Sequence, residues 1–457
     1  MQVNLSMQYY YADHALLPTG WVQQVRFKIV GGCFTDIQVG STAQDRDTKL
    51  QGPILPGMVN LHSHAFQRAM AGLVEVSLNP ADSFWSWRDL MYGLVGKLTP
   101  EQVHTIARFL YIDMLKAGYT QVAEFHYLHH QANGQAYNNP ATMALAVRDA
   151  ALDTGIGQTL LPVLYSYSGF GGQPANDGQK RFLHDVDAYL RLHQDLASSN
   201  NSNRINQGLC FHSLRAVTAE QIQQTLRASD SSWPVHIHIA EQQKEVKDCI
   251  AWSGQRPVAW LANEIGLSDR WCLVHATHID DNELQQIIGS QAVVGICPTT
   301  EANLGDGIFP ATQLVQGGGR FGIGSDSHVC LSPAEEIRLL EYSQRLHEEQ
   351  RNRLYDANNT SVGNYLYQKC VTDGAAACGL EAGIAEGMRA DFISLDISYP
   401  TLACSAPEKW LDLWCFGSNH NPVKDVYVAG NQVISNGEHP LQESTYAAMN
   451  ACLKQLM

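Results

Sequence analysis

Ile54-Leu55-Pro56-Gly57-Met58-Val59-Asn60-Leu61-His62-Ser63-His64 is a short apolar run that ends in two histidines spaced i, i+2. Pro56 and Gly57 interrupt its start, so the extended part is read from Met58 to His64. Alternate side chains of a strand point to one face. His62 and His64 therefore project together, with Ser63 turned away. Two imidazoles on one face at the end of a strand make half of a metal site. A hydrophobic strand that delivers polar groups at its C-terminal end is also how a parallel α/β barrel builds a site. An isolated His-x-His reads equally well as a buried, backbone-bonded pair, so the rest of the chain decides.

Downstream the pattern is strand, then helix, repeated. Further strands are read at residues 120–127, 158–165, 208–215, 235–241, 271–275, 292–298 and 320–326. Helix signals fall between them. Thr99-Pro100-Glu101-Gln102 supplies an N-cap, a proline at the first position and a glutamine three residues after the cap, and Gly118 ends that helix. Ser332-Pro333-Ala334-Glu335 reads as a capping box opening a long helix. Eight strands with helices between them predict an α/β fold, a (β/α)8 TIM-like barrel. Their mostly apolar composition fits burial on both faces. Polar residues gather at the predicted strand ends: His62, His64, Tyr127, His212, Arg215, His238, Glu241, His275 and Asp326. In this fold those ends form the active-site face.

The two chain ends read differently. Residues 22–30 and 33–39 are strand-like runs joined at Gly31-Gly32. Residues 390–397 and 423–429 are strand-like too, and Gly430-Asn431 marks a hairpin into Gln432-Val433-Ile434. Both ends are expected to build one small β-sandwich domain. The expected division is 1–52 and 389–457 for that domain and 53–388 for the catalytic barrel. No internal repeat or low-complexity tract is visible.

Composition agrees. The 457 residues suffice for a barrel of about 250 residues and an accessory domain. With 45% hydrophobic and 16% charged residues, the chain is not of the disordered class. A formal net charge of -15 leaves no global field to attract nucleic acid or anionic lipid. The 11 cysteines include no C-x-x-C pair, which suits a reducing cytosol. The start of the sequence lacks a signal-peptide pattern, and no apolar run is long enough to span a bilayer. The expectation is a cytoplasmic protein with a small-molecule substrate and no nucleic-acid or membrane partner.

His62, His64, His238 and Asp326 together offer three imidazoles and one carboxylate. Such a nitrogen/oxygen set suits a divalent transition metal, most often zinc. Glu241 and His275 are placed to move protons near a water on that metal, and Asp326 to accept a hydrogen bond from it. The fourth strand carries no lysine, which favours one metal ion over a bridged pair. His236 shares a face with His238, and spacing alone does not separate them. His126, His129, His130, His278 and His328 are read as solvated or structural.

The chain resembles the amidohydrolase superfamily, in its mononuclear deaminase branch. The resemblance rests on Pro56 to His64, His238-Ile239-Ala240-Glu241, the lone His275 and Gly324-Ser325-Asp326-Ser327. Within that branch it is most similar to the formimidoylglutamate deiminases. The pieces are Leu16-Leu17-Pro18-Thr19-Gly20-Trp21, Asn60 to Arg68, Glu124 to His129, His212 to Val217 and His236 to Gln242. The resemblance implies hydrolysis of N-formimidoyl-L-glutamate to N-formyl-L-glutamate and ammonia. It assigns the metal to His62, His64, His238 and Asp326, and proton transfer to Glu241 and His275. Which of these two takes the water proton is left open. It also implies substrate contacts at Gln67, Arg88, Tyr127, His212 and Arg215, and by analogy a homodimer. Two arginines suit a dicarboxylate substrate. The alternatives are a deaminase of guanine or another heterocycle, which would need stacking and amide donors instead, and a metal-free barrel acting as a scaffold.

Overall fold

The computed structural model describes residues 7–73, 75 and 91–457. Eight parallel strands form one sheet: β1 (Met58–Ser63), β2 (Tyr119–His126), β3 (Gly157–Leu164), β4 (Leu209–Ser213), β5 (Val235–Ile239), β6 (Trp271–His275), β7 (Val293–Ile296) and β8 (Arg320–Ile323). They lie side by side in chain order. The ring closes where Ser63 bridges Asp326. There the His64 N–H donates to the Asp326 carbonyl at 3.3 Å and the Asp326 N–H to the His62 carbonyl at 3.0 Å. All eight predicted strands are present. Nearly every strand residue is buried, as the apolar runs require when helices cover the outside.

The covering helices follow their sequence signals. Pro100–Ala117 opens with a full capping box, the Thr99 hydroxyl accepting from the Gln102 N–H and the Gln102 side chain accepting from the Thr99 N–H. Gly118 ends it in the left-handed region. Its buried Val103, Ile106, Ala107, Leu110, Met114 and Leu115 follow helical spacing. Full burial of each larger aliphatic side chain contributes about 1.5–3 kcal/mol. At Pro333–Glu348 the box expected from Ser332 and Glu335 is only half formed. The Ser332 hydroxyl accepts from the Glu335 N–H, but the Glu335 carboxylate turns to Arg338 at 3.0 Å. No helix among the described residues is long and apolar enough to cross a membrane.

Both chain ends build a second sheet, giving the small sandwich-like unit beside the barrel. Met7–Leu17, Gly20–Val30 and Cys33–Gln38 pair antiparallel. Phe392–Leu395, Val423–Val428 and Asn431–Ile434 join from the other end. Tyr10, Phe27, Phe34, Phe392 and Tyr427 pack as its core. Ile54–Pro56 is the link, pairing with Phe392–Leu395 rather than with the barrel. The run that opens the sequence argument therefore divides between two sheets.

The division falls at Gly57. A Cβ there would lie 2.2 Å from both Cγ2 and Oγ1 of Thr120, the buried second residue of β2. Gly57→Ala is expected to destabilise the protein by about 1–3 kcal/mol, the range for overpacking. Urea unfolding measures this, and an unchanged midpoint would contradict the close approach.

Candidate active site

The C-terminal ends of the strands surround a small cavity. His64, His238 and Asp326 line its floor, and Gln67, Tyr127, His212, Arg215, Glu241 and His275 line its wall. His62 is fully buried just beneath. The structure thus brings together every predicted site residue that it describes. Arg88, with the aromatic run around it, lies outside the described residues.

Two donor groups share His62: His62 with His64 and Asp326, and His62 with His238 and His275. His62 Nε2 lies 3.1 Å from His238 Nε2, and Asp326 Oδ1 lies 3.3 Å from both His62 Nε2 and His64 Nε2. Tetrahedral zinc with bonds of about 2.0–2.1 Å would separate its donors by roughly 3.3 Å. Two of the rings are fixed from behind. His64 Nδ1 is 2.8 Å from the Phe125 carbonyl and His238 Nδ1 is 3.0 Å from the His212 carbonyl. A carbonyl only accepts, so each Nδ1 carries the proton and each Nε2 turns a lone pair inward. Burial lowers the pKa of all three imidazoles, that of His62 to about 3. Burial would raise Asp326, but the hydrogen bond and charge of His62, then His64, hold it well below the usual carboxylate range. Neutral imidazoles beside an ionised carboxylate are the protonation states that a divalent cation requires.

His275 and Glu241 sit beside this cluster. His275 Nε2 is 3.8 Å from Asp326 Oδ2 and 3.9 Å from Glu241 Oε1. Burial raises Glu241 to about 7. Burial alone would lower His275, but Glu241, Glu301 and Asp326 outweigh it and lift the ring to about 10. Glu241 can therefore hold or release a proton close to neutrality, beside a His275 that stays protonated there. Ala240, His275, Ala276, Asp326 and His328 all have φ between 43° and 69°. Such left-handed backbone costs about 1–3 kcal/mol per non-glycine residue and clusters at functional sites.

Above the cluster, the Gln67 amide donates to the Tyr127 hydroxyl at 3.2 Å. Arg215 is half-buried in the wall; desolvation draws its pKa down, but Glu245, Tyr165 and Glu241 more than restore it. His236 points away from the site, with Nε2 2.7 Å from the Ala377 carbonyl, which agrees with a structural reading. His126, the last residue of β2, and His129 are buried, which agrees with a structural reading. Met91 and Tyr92 also line the cavity.

Sequence reasoning missed four residues. Tyr165, Phe182 and Leu304 complete the wall. Tyr165 follows β3 directly, so the rule that strand ends face the site would have found it. Glu301 Oε1 is 3.2 Å from His275 Nδ1 and also accepts the Cys297 N–H at 2.9 Å. It lies on Pro298–Leu304, the helix after β7, and no sequence pattern marks it.

The Amidohydrolase family signature matches residues 54–433, and that of the formimidoylglutamate deiminase HutF N-terminal domain matches residues 7–51. The chain is 53% identical over 449 residues to a formimidoylglutamate deiminase of Pseudomonas aeruginosa, covering 98% of this chain and 99% of that one. A crystal structure of an amidohydrolase from Brucella melitensis superposes with a TM-score of 0.93 at 44% identity, covering 98% and 99% of the two chains. A zinc-bound adenosine deaminase from Xanthomonas campestris shares the fold at 19% identity, with a TM-score of 0.81 and 98% of each chain covered.

Proposed function

Since the chain belongs to the amidohydrolase family, we propose that it hydrolyses N-formimidoyl-L-glutamate to N-formyl-L-glutamate and ammonia, a step of histidine degradation. The observation that carries this reading is the whole-length match to the Pseudomonas aeruginosa deiminase, which spans barrel and small sheet alike. The cavity supports it chemically.

His62, His64, His238 and Asp326, linked through His62, would hold one divalent ion, and their nitrogen/oxygen donor set favours zinc. Bound there, the ion supplies Lewis acidity that brings the pKa of a water near neutrality. The residues do the rest. Arg215, with Arg88, receives the substrate carboxylates. Gln67, Tyr127 and His212 orient the chain that joins them to the formimidoyl group. Water adds to the amidinium carbon, and Glu241 and His275 manage its protons. One takes a proton from the water and the other delivers one to the departing nitrogen. The bond from that carbon to the terminal nitrogen then breaks, leaving N-formyl-L-glutamate and ammonium. The proposal includes a cytoplasmic location, supported by eleven free cysteines, and a homodimer by analogy with similar barrels.

Ammonia release from N-formimidoyl-L-glutamate tests the reading, with guanine and N-formimidoylglycine alongside. Fast release from the glutamate compound alone is expected. Dialysis against a chelator is expected to abolish it, and one equivalent of zinc to restore it. Turnover of guanine instead would replace the substrate assignment.

A further inference from the structure

Behind the donor cluster lies a chain of buried polar side chains that the reaction does not use. Asn60, Ser63, Glu124, Ser325 and His328 are all fully buried. His328 sits at its centre. The His64 N–H points at His328 Nε2, 3.2 Å away. A backbone N–H only donates, so Nε2 accepts and the ring proton is on Nδ1. Nδ1 lies 2.9 Å from the Ser325 hydroxyl and donates to it. Ser325 Oγ also receives the Asn60 amide at 2.6 Å, and Asn60 Oδ1 accepts the Ser325 N–H at 3.1 Å and the His62 N–H at 3.3 Å. On the other side, Glu124 accepts from the Ser63 hydroxyl and the Ala65 N–H, both at 2.7 Å.

The bonds made by Asn60, Ser325 and His328 join the segment bearing His62 and His64 to the segment bearing Asp326. They cross the seam where β1 meets β8, which is held otherwise by the two backbone bonds between His62, His64 and Asp326. The chain at His328 adopts φ 62°, an unfavourable conformation for histidine, and thereby turns the ring back onto β1. Arg68 Nη1 holds the His328 carbonyl at 2.7 Å, so the turn is clamped from outside as well.

We propose that His328 is a positioning residue for the metal site, setting the spacing of His64 and Asp326 through the His64 N–H and Ser325. This rests on the assignment of His62, His64, His238 and Asp326 as ligands. Loss of such outer partners typically costs about 10–100-fold in metal affinity. The test is chelator competition for zinc on the full chain, with the melting temperature of the metal-free protein measured in parallel. His328→Leu is expected to weaken zinc binding about 10–100-fold. His328→Gln, which can return an acceptor to the Nε2 position, is expected to recover part of it. Ser325→Ala, a smaller change, is expected to weaken binding in the same direction and guards against a leucine variant that does not fold. Asp326→Ala serves as control. Parental zinc affinity in Asp326→Ala would overturn the ligand assignment itself. Loss in Asp326→Ala with parental affinity in both His328→Leu and Ser325→Ala would overturn the role of His328 alone. A lower melting temperature of the metal-free protein with unchanged zinc affinity would make His328 merely structural.

Discussion

Glu241→Gln is expected to lower kcat by about 10²–10⁴-fold, the range that one proton-transfer group contributes. The glutamine fills the same volume, and the hydrogen bond from the residue 241 N–H to Glu245 at 3.1 Å is a backbone bond that survives. What it loses is the ability to exchange a proton. Glu241 faces the cavity 3.9 Å from His275 Nε2, and burial has raised it to about 7. It is not among the four proposed ligands, so zinc content should stay at the parental level. Steady-state kinetics with metal analysis separates the roles. A variant that keeps more than a tenth of the parental kcat would remove Glu241 from proton transfer. A variant that loses its metal would make it a ligand instead.

Arg215→Gln is expected to lower kcat/KM for N-formimidoyl-L-glutamate by about 10–150-fold, equivalent to the 1.5–3 kcal/mol of a hydrogen bond to a charged group. The larger part should appear in KM, because a carboxylate far from the reacting carbon is held alike before and during reaction. Arg215→Lys keeps the charge but not the planar fork, so it should fall between parent and glutamine. The variant also leaves Glu245 without its cationic neighbour in a buried setting. Its melting temperature belongs beside its kinetics for that reason. N-formimidoylglycine, which lacks one carboxylate, should be far less sensitive to the change. Equal losses for both compounds would mean that Arg215 supports the wall rather than the substrate.

The barrel was legible because its strands are buried on both faces and so appear as apolar runs, each ending in polar residues. Period-two geometry put His62 and His64 on one face, and the same rule reached His238, His275 and Asp326. The strand Met7–Leu17 was not legible. Its buried positions, Tyr10, Ala12, Ala15 and Leu16, break strict alternation, and alanine has little strand preference. Its length follows from ten paired positions with Gly20–Val30, a tertiary fact. Glu301 and His328 were hidden for a related reason. Each acts on a residue of another strand: Glu301 reaches His275 across the β6–β7 pair, and His328 meets His64 only when the barrel closes. The choice of His238 over His236 came from the resemblance, and the structure gives its physical counterpart: one ring points into the cavity and the other to the Ala377 carbonyl.

The path of the chain through its two sheets also sets an order of events on the ribosome. Ile54–Pro56 finds its antiparallel partner only when Phe392–Leu395 has been made, and β1 finds its second neighbour only when β8 has emerged. A nascent polypeptide therefore carries His62 and His64 through most of translation on a strand with one open edge. Contacts this distant close slowly, because loop entropy must be overcome before any pairing compensates for it. The donor atoms of His62, His64 and Asp326 meet only once β8 has been made, and the last strand of the barrel fixes the geometry of its first.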